Sequence, residues 1–365
     1  MKKTKVSDHQ IFALAANCAI GTTLISVASS VASFAKQDAW IAALIAPVLG
    51  LPFIWIYYKL GKLFPGKTLI EMFSMVFGKW VGWIVSAFFI LFVCFLDVEQ
   101  LLFYIGDFMS TEYMTETPLY AFNLLLAFSM AIALLYGLET IARSAEVFAF
   151  VAVSLITLIF VLNLTNVNVE YLLPVFENGL APILKGSLHL SSYLTWPFVI
   201  LLMIYPASSD NSKKTRNALF AGYILGAVIS LIATLMSILV LGSAMTAKSQ
   251  YPIYIMAKQI DIGVIERIEG VISFSWILTA FIKTLLYFYA GIVGISQLFK
   301  IEQHKRLILP LTLVILIFSG IVYPDSSYET KWDSTTWIPF IGTFGAILPS
   351  LILIIAKYKK RQISS

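Results

Sequence analysis

Charged residues are scarce in this sequence. They make up 12% of its 365 residues, whereas hydrophobic residues make up 59%, and the mean hydropathy is +0.87. A soluble domain of this size needs many more polar side chains to cover its surface. The composition therefore excludes a soluble protein and predicts an all-α integral membrane protein that crosses the bilayer several times.

Cysteine and histidine are also rare. The two cysteines, Cys18 and Cys94, both lie inside hydrophobic segments, which excludes a disulfide framework and a cysteine-based metal site. His9, His189 and His304 stand far apart in the sequence and lack the spacing of metal ligands. We therefore expect no metal and no cofactor.

Ten hydrophobic segments of about 20 residues, the length of a membrane-spanning helix, account for most of the chain. They cover approximately residues 10–32, 39–58, 81–106, 118–137, 145–163, 187–206, 218–242, 271–297, 307–323 and 337–356. The loops between them are short, so we expect a single transmembrane domain over residues 1–365. The first segment is longer than the core of a signal peptide, which is about 7–15 residues, and we expect it to remain as a span.

The basic residues indicate the orientation of these segments. Of 25 Lys and Arg residues, 18 fall at the amino terminus, in the carboxyl tail or in every second loop, and six fall in the opposite loops. Cytoplasmic loops of membrane proteins are enriched in Lys and Arg, so we expect both termini on the cytoplasmic side. This distribution accounts for the net charge of +5, and we expect no nucleic-acid partner.

The first segment carries polar and small residues at its centre, namely Asn17, Gly21, Thr22, Thr23 and Ser26. A helix in hydrocarbon must satisfy its own backbone hydrogen bonds, and this composition favours an interrupted helix near Gly21 whose free amides and carbonyls face a small ligand. The alternative is that Gly21, Thr22 and Thr23 are small residues that let two helices pack closely. The segment alone leaves both interpretations open.

Three ionisable side chains lie deep in hydrophobic segments, where they usually face a cavity or a partner. Asp97 and Glu99 are in the third segment and point about 200° apart on a helix, so at least one is expected to line the site. Lys283 is in the eighth segment and must pair with one of these carboxylates or lose its charge. Asp97, Glu99 and Lys283 are thus candidates for ion or proton coupling, or for pairing between helices.

The sixth segment contains Thr195-Trp196-Pro197 near its middle, and Pro197 predicts a second helix break. It lies five segments after the first break, and a five-span unit that is repeated must be inverted. Paired breaks in inverted repeats are typical of transporters that bind their substrate at mid-membrane. We expect repeat one over about 10–163 and repeat two over about 187–356.

Two loops have apolar residues at helical spacing. One is the stretch from Leu69 to Val76, which predicts a short helix at the inner membrane surface. The other is the stretch from Ile253 to Val264, which predicts a lid-like helix on the opposite side.

The sequence resembles the B subunits of endospore germinant receptors, the GerAB-type spore germination permeases of the amino acid–polyamine–organocation superfamily. The matching features run along nearly the whole chain in the same order. They are the Gly21 segment, Gly78-Lys79-Trp80-Val81-Gly82, Glu99, the stretch from Pro174 to Gly179, the run from Ile265 to Glu269, and Tyr323-Pro324.

The resemblance implies a LeuT-like fold of ten transmembrane helices in a five-plus-five inverted repeat, with helices 1 and 6 broken. It also implies a germinant pocket between spans one, three, six and eight, an A subunit and a lipoprotein C subunit as partners, and the spore inner membrane as location. With Thr23 added, the candidate ligand-binding residues are Gly21, Thr22, Thr23, Phe95, Glu99, Thr195, Trp196, Lys283 and Thr284. One departure is that Thr23 replaces a second glycine found in many members, and Val27-Ala28-Ser29 replaces their Leu-Pro-Arg.

These features favour a sensor over a catalyst. We expect a small nutrient, with an amino acid as the favoured class, to bind at the breaks, its carboxylate on backbone amides at a helix amino end and its amine on free carbonyls. Trp196 and Phe95 would shape the side-chain pocket, and partner subunits would detect the conformational change. The alternatives are a proton-coupled amino-acid transporter and an assembly scaffold with an inactive pocket; no nucleophile–base pair indicates an enzyme.

Overall fold

The computed structural model describes residues 5–25, 27–210, 212–260 and 268–364, and these ranges form helices and no β-strand. The α-helices are α1 (Asp8–Thr23), α2 (Val27–Ala35), α3 (Ala39–Leu63), α4 (Leu69–Phe77), α5 (Lys79–Phe88), α6 (Leu96–Phe108), α7 (Leu119–Tyr136), α8 (Leu138–Leu162), α9 (Leu180–Leu194), α10 (Tyr205–Ser208), α11 (Lys213–Lys248), α12 (Pro252–Lys258), α13 (Glu269–Leu298), α14 (Ile308–Ser319), α15 (Ser326–Thr335), α16 (Trp337–Gly342) and α17 (Leu348–Ser364). Short π-helical segments join α5 to α6 and α16 to α17.

Within the described residues, eight helices are long and apolar enough to cross a membrane. The first and ninth predicted segments do not each correspond to one such long apolar helix. The first is divided between α1, of 16 residues, and α2, of nine, while the ninth corresponds to α14, which has 12 residues. The all-α membrane architecture is thus confirmed, and the count of ten spans stays a prediction.

Helix α1 lies at the centre of the bundle, packed against α8, α11 and α13. It begins with a capping box in which Ser7 and Gln10 satisfy each other's backbone amides. Nearly every residue from Ile11 to Thr23 is buried. Because this helix is buried among its neighbours, each polar group on it needs a hydrogen-bond partner within the bundle or in a cavity beside it.

Both short helices predicted in loops are present. Helix α4 starts with a capping box between Thr68 and Glu71, and α12 covers part of the predicted lid. Val264, the Ile265–Arg267 part of the motif and Ser26 lie outside the described residues.

Small residues allow α11 to approach α1 closely. A Cβ atom on Gly226 would lie 2.2 Å from Cβ of Ala19, and one on Gly222 would lie 2.6 Å from Cβ of Ala15. Both distances are far below a normal carbon–carbon contact. The two helices therefore meet along a seam that excludes larger side chains.

Gly226→Ala should destabilise the protein, because overpacking a filled interior costs about 1–3 kcal/mol. The unfolding temperature in detergent, followed by tryptophan fluorescence, should fall. Gly270→Ala is the control, since the described atom nearest to its Cβ is the Tyr113 hydroxyl at 3.8 Å, and it should not lower that temperature. Equal unfolding temperatures for the two variants would contradict the close seam.

Candidate functional site

The first span is interrupted between α1 and α2. Helix α1 ends at Thr23 and α2 begins at Val27, so α1 continues two residues beyond the predicted break position at Gly21. Gly21 itself stays helical because it packs against α13, where an added Cβ would lie 3.0 Å from the Thr279 carbonyl oxygen. The structure thus corrects the position of the break and supports close helix packing at Gly21.

The second interruption falls where the sequence predicts it. Helix α9 ends at Leu194, and Pro197 lies in the first turn of a 3-10 segment that runs from Trp196 to Met203. Proline suits this position because amides in the first turn of a helix have no acceptor within it, so the lack of an amide hydrogen costs no hydrogen bond.

A tryptophan from α13 satisfies the carbonyl that the break in α1 leaves free. The last carbonyls of a helix have no partner within it, and Trp276 Nε1 donates a hydrogen bond of 2.9 Å to the Gly21 oxygen. Thr23 is held in the same region, since its hydroxyl donates to the Ala19 oxygen at 2.8 Å and accepts from Ser230 at 2.7 Å. The end of α1 is therefore fixed by neighbours rather than by water.

Lys283 lies beside this break. Its side chain is buried, with 2% of the residue exposed, and its Nζ donates a hydrogen bond of 2.7 Å to Thr22 Oγ1. Gly21 permits this approach, since an added Cβ would lie 3.1 Å from Cβ of Lys283. The end of α1 thus presents a hydroxyl to a buried amine.

Asp97, rather than Glu99, is the carboxyl that shares a cavity with Lys283. Asp97 is buried, and its Oδ2 has no hydrogen-bond partner among the described residues. No ion pair within 4.0 Å joins Lys283 to a described carboxylate. Glu99 is half-buried on another face of α6, as expected for residues two positions apart on a helix.

This inner cavity is lined by Asp97, Lys283 and Thr22, with Gln100 and Tyr287 among its other walls. Gln100 Nε2 and the Tyr287 hydroxyl are buried without a partner among the described residues. The cavity volume is about 10 Å³, which is room for roughly one water molecule. The structure is therefore a closed state, too tight here for an amino acid.

Two further cavities lead from this site to one end of the bundle. A middle cavity of about 30 Å³ shares Thr22, Tyr104 and Tyr193 with the inner one. A larger cavity of about 360 Å³, which we name the vestibule, lies between α2, the carboxyl end of α11 and α15. The vestibule and the middle cavity share Glu329 and Asp333, so the three spaces form a row.

Glu329 and Asp333 stand four residues apart on α15, on one face of that helix. Burial, together with the nearby carboxyls of Asp333 and Asp107, raises the pKa of Glu329 to about 8. Burial likewise raises the pKa of Asp333, and the opposing effect of the Tyr193 and Tyr104 hydroxyls leaves it at about 7. Both carboxyls therefore change charge near neutral pH.

Thr195 and Trp196 lie away from the three cavities. Thr195 Oγ1 is 2.8 Å from the Tyr223 hydroxyl. Trp196 packs against span ten, where an added Cβ on Gly345 would lie 2.5 Å from Cβ of Trp196. The interruption in the sixth span thus serves packing in this state, and the predicted ligand contacts of Thr195 and Trp196 stay predictions.

Phe95 and Thr284 also lie outside the cavities. The Phe95 ring meets Phe288 edge to face, with ring centres 6.4 Å apart, and the Thr284 hydroxyl donates to the Ala280 oxygen of its own helix at 2.7 Å. Of the candidate residues, the structure brings Thr22, Lys283 and Asp97 around one cavity, with the Gly21 backbone beside them.

The sequence analysis did not identify the aromatic residues of the site. Tyr104, Tyr193 and Trp276 line the middle cavity, and Trp337 stacks on Tyr193 with ring centres 4.8 Å apart. Aromatic residues are frequent throughout this chain, so no signal distinguished them. A sequence signal was present for Glu329 and Asp333, because these two acidic residues stand at helical spacing between two hydrophobic segments.

Solved structures share this fold. The nucleobase-cation-symport-1 family transporter Mhp1, in a closed conformation with bromovinylhydantoin bound, matches with a TM-score of 0.71 at 14% identity, over 96% of this chain and 78% of its own. MhsT in complex with L-phenylalanine matches with a TM-score of 0.66 at 14% identity, over 97% of this chain and 99% of its own. The expected LeuT-like fold is confirmed.

Characterised relatives are spore germination proteins. Spore germination protein KB of Bacillus subtilis (strain 168) is 27% identical, over 99% of this chain and 97% of its own length. Spore germination protein YndE of the same organism is 25% identical, over 98% of each. The family model described as spore germination protein matches residues 5–327. The row of cavities beside an interrupted first span thus lies in an integral membrane protein that belongs to the spore germination protein family.

Proposed function

We propose that this protein is the nutrient-sensing membrane subunit of a spore germination receptor, and that it binds an amino acid at the inner cavity. The observation that carries the proposal is the presence of Lys283 and Asp97 on one cavity at the break in α1. A buried amine and a buried carboxyl that do not pair with each other are costly. A ligand with both charges would compensate them together.

The chemistry of the cavity matches an α-amino acid. The ligand carboxylate would accept from the Lys283 ammonium and the Thr22 hydroxyl, while its ammonium would donate to Asp97. In this arrangement side chains that line the cavity hold the ligand, in place of the backbone amides expected from the sequence. Gln100 and Tyr287 supply two further polar groups without partners among the described residues.

Sensing follows from the size of the cavity. An amino acid does not fit a space of about 10 Å³, so binding requires Tyr193 and Trp337 to move apart. The ligand would therefore bind an open state better than the closed one, which is the condition for shifting a conformational equilibrium. We propose that an A subunit and a lipoprotein C subunit detect this shift in the spore inner membrane, with both termini of this chain on the core side.

A second candidate function is proton-coupled amino-acid transport. The observation in its favour is the row of cavities that joins the Glu329–Asp333 pair to Asp97. Carboxyls inside a span, such as Asp97, also occur in proton relays. We assign the protein no catalytic role.

Lys283→Met should weaken the nutrient response of spores about tenfold or more, since a hydrogen bond to a charged group contributes roughly 1.5–3 kcal/mol. Asp97→Asn should have a similar effect. The measurement is germination of spores that carry each variant in place of the deleted gene, over a concentration series of amino acids, with sugars and nucleosides in parallel.

Lys185→Met is the matched control, because Lys185 is an exposed residue of α9. Immunoblots of the spore membranes must give equal protein levels for all variants. A normal response of Lys283→Met at a normal protein level would overturn the assignment of the inner cavity.

Purified protein in liposomes should not accumulate labelled amino acid against its gradient when a pH gradient is imposed. A sensor needs only a conformational change on binding, whereas a transporter must expose its binding site alternately to the two sides of the membrane. Accumulation that disappears with a protonophore would favour the second candidate function.

The response should not depend on sodium, because the buried Nζ of Lys283, 2.7 Å from Thr22 Oγ1 beside the break in α1, would occupy the place of a bound cation. Germination should be equal when sodium chloride is replaced by potassium chloride at constant ionic strength and osmolality. A response that rises with sodium would contradict this prediction.

A further inference from the structure

The middle cavity is lined by four aromatic residues and two carboxyls. The aromatic residues are Tyr104, Tyr193, Tyr251 and Trp276, and the carboxyls belong to Glu329 and Asp333. Rings and carboxylates are the two kinds of group that attract an organic cation, the rings through their negative faces. Its volume of about 30 Å³ suits a head group of one or two heavy atoms.

Hydrogen bonds hold three of these rings in position. The Tyr251 hydroxyl donates to Asp107 Oδ2 at 2.9 Å, and the Tyr104 hydroxyl donates to Asp333 Oδ1 at 3.2 Å. Trp276 is fixed by its bond to the Gly21 carbonyl. The cavity is therefore built before any ligand arrives, which reduces the ordering cost of binding.

Carboxyl groups are the main ionisable groups around this cavity. Helix α15 contributes Glu329 and Asp333, and α6 contributes Asp107, which raises the pKa of Glu329. Glu329 Oε2 is buried without a hydrogen-bond partner among the described residues. On the vestibule side, α11 contributes Lys248, which is exposed at the rim, and α9 contributes His189.

Lys283 lines the neighbouring inner cavity and donates to Thr22. The other titratable groups that face the middle cavity are the phenols of Tyr104, Tyr193 and Tyr251. None of them places a positive charge between the two carboxyls of α15. This part of the cavity thus favours a cation.

The vestibule offers room and hydroxyl groups for the rest of such a ligand. Its volume of about 360 Å³ lies in the range of small-molecule sites. Serines of α2 and of α15 face each other across it, among them Ser29, Ser33 and Ser334. A hydroxylated or otherwise polar body would find hydrogen-bond partners on both sides.

We propose that this end of the protein is a second binding site, which takes a small polar molecule with a primary ammonium group. The ammonium lies in the middle cavity between Glu329 and Asp333, and the polar body lies in the vestibule. The site is separate from the inner cavity, and its existence does not depend on the function proposed for Lys283 and Asp97.

The test uses the full-length protein in lipid nanodiscs and 2-aminoethanol as the probe, with 1,2-ethanediol as its uncharged counterpart. Binding is followed by tryptophan fluorescence, because Trp276 lines the cavity, and by calorimetry. The amine should bind at least about tenfold more tightly than the diol, in keeping with the contribution of a charged hydrogen bond. Equal binding of the two probes would overturn the proposal.

The double variant Glu329→Gln with Asp333→Asn should weaken amine binding at least about tenfold. Glu170→Gln is the matched control, since Glu170 is exposed, and it should bind like the wild type. Unchanged affinity in the double variant would overturn the proposal.

The wild-type protein provides a test that needs no variant. Because the pKa values of Glu329 and Asp333 are raised to about 8 and about 7, both carboxyls lose their charge as the pH falls. Amine affinity should therefore rise as the pH increases from about 6 to about 8.5, and the double variant should lose most of this dependence. Potassium ions that displace the amine at equal concentration would instead indicate an inorganic cation site and overturn the proposal.

Discussion

The demand that every backbone polar group be satisfied without water governs this structure. Helix α1 is buried at the centre of the bundle and stops at Thr23, which leaves carbonyl groups without helical partners. Trp276 satisfies the Gly21 carbonyl from α13, and the same close approach of the two helices brings Lys283 to Thr22. The broken helix and the buried amine are thus two results of one packing arrangement.

In the closed state, several buried polar groups around the inner cavity lack a partner of opposite charge or a hydrogen-bond partner among the described residues. Lys283 has a hydroxyl partner but no ion pair with a described carboxylate, and Asp97, Gln100 and Tyr287 each keep a buried atom without a described partner. A protein of this family that only needed stability would do better with apolar side chains here. The imbalance is therefore informative about function, because a dipolar ligand would correct it.

The sequence predicted the membrane class, the two interruptions and the depth of Asp97, Glu99 and Lys283. These features can be recognised within one segment, from the length of a hydrophobic run and from a charged residue inside it. The sequence could not decide between Asp97 and Glu99, since that choice depends on how α6 is rotated against α13. It also placed the first break at Gly21, whereas contact with Thr279 keeps that glycine helical. The aromatic walls depend on packing between distant segments, which no local pattern records.

Residues of α1, of α2 and of the interruption between them line all three cavities. Thr22 lines the inner and middle spaces, Ile25 lines the middle one, and Ser29 and Ser33 face the vestibule. A displacement of α2 by an occupant of the vestibule would reach Thr22 across the short connection that follows Thr23. This short joint can therefore act as a common hinge, so that two occupants would influence each other mechanically without a long relay of side chains.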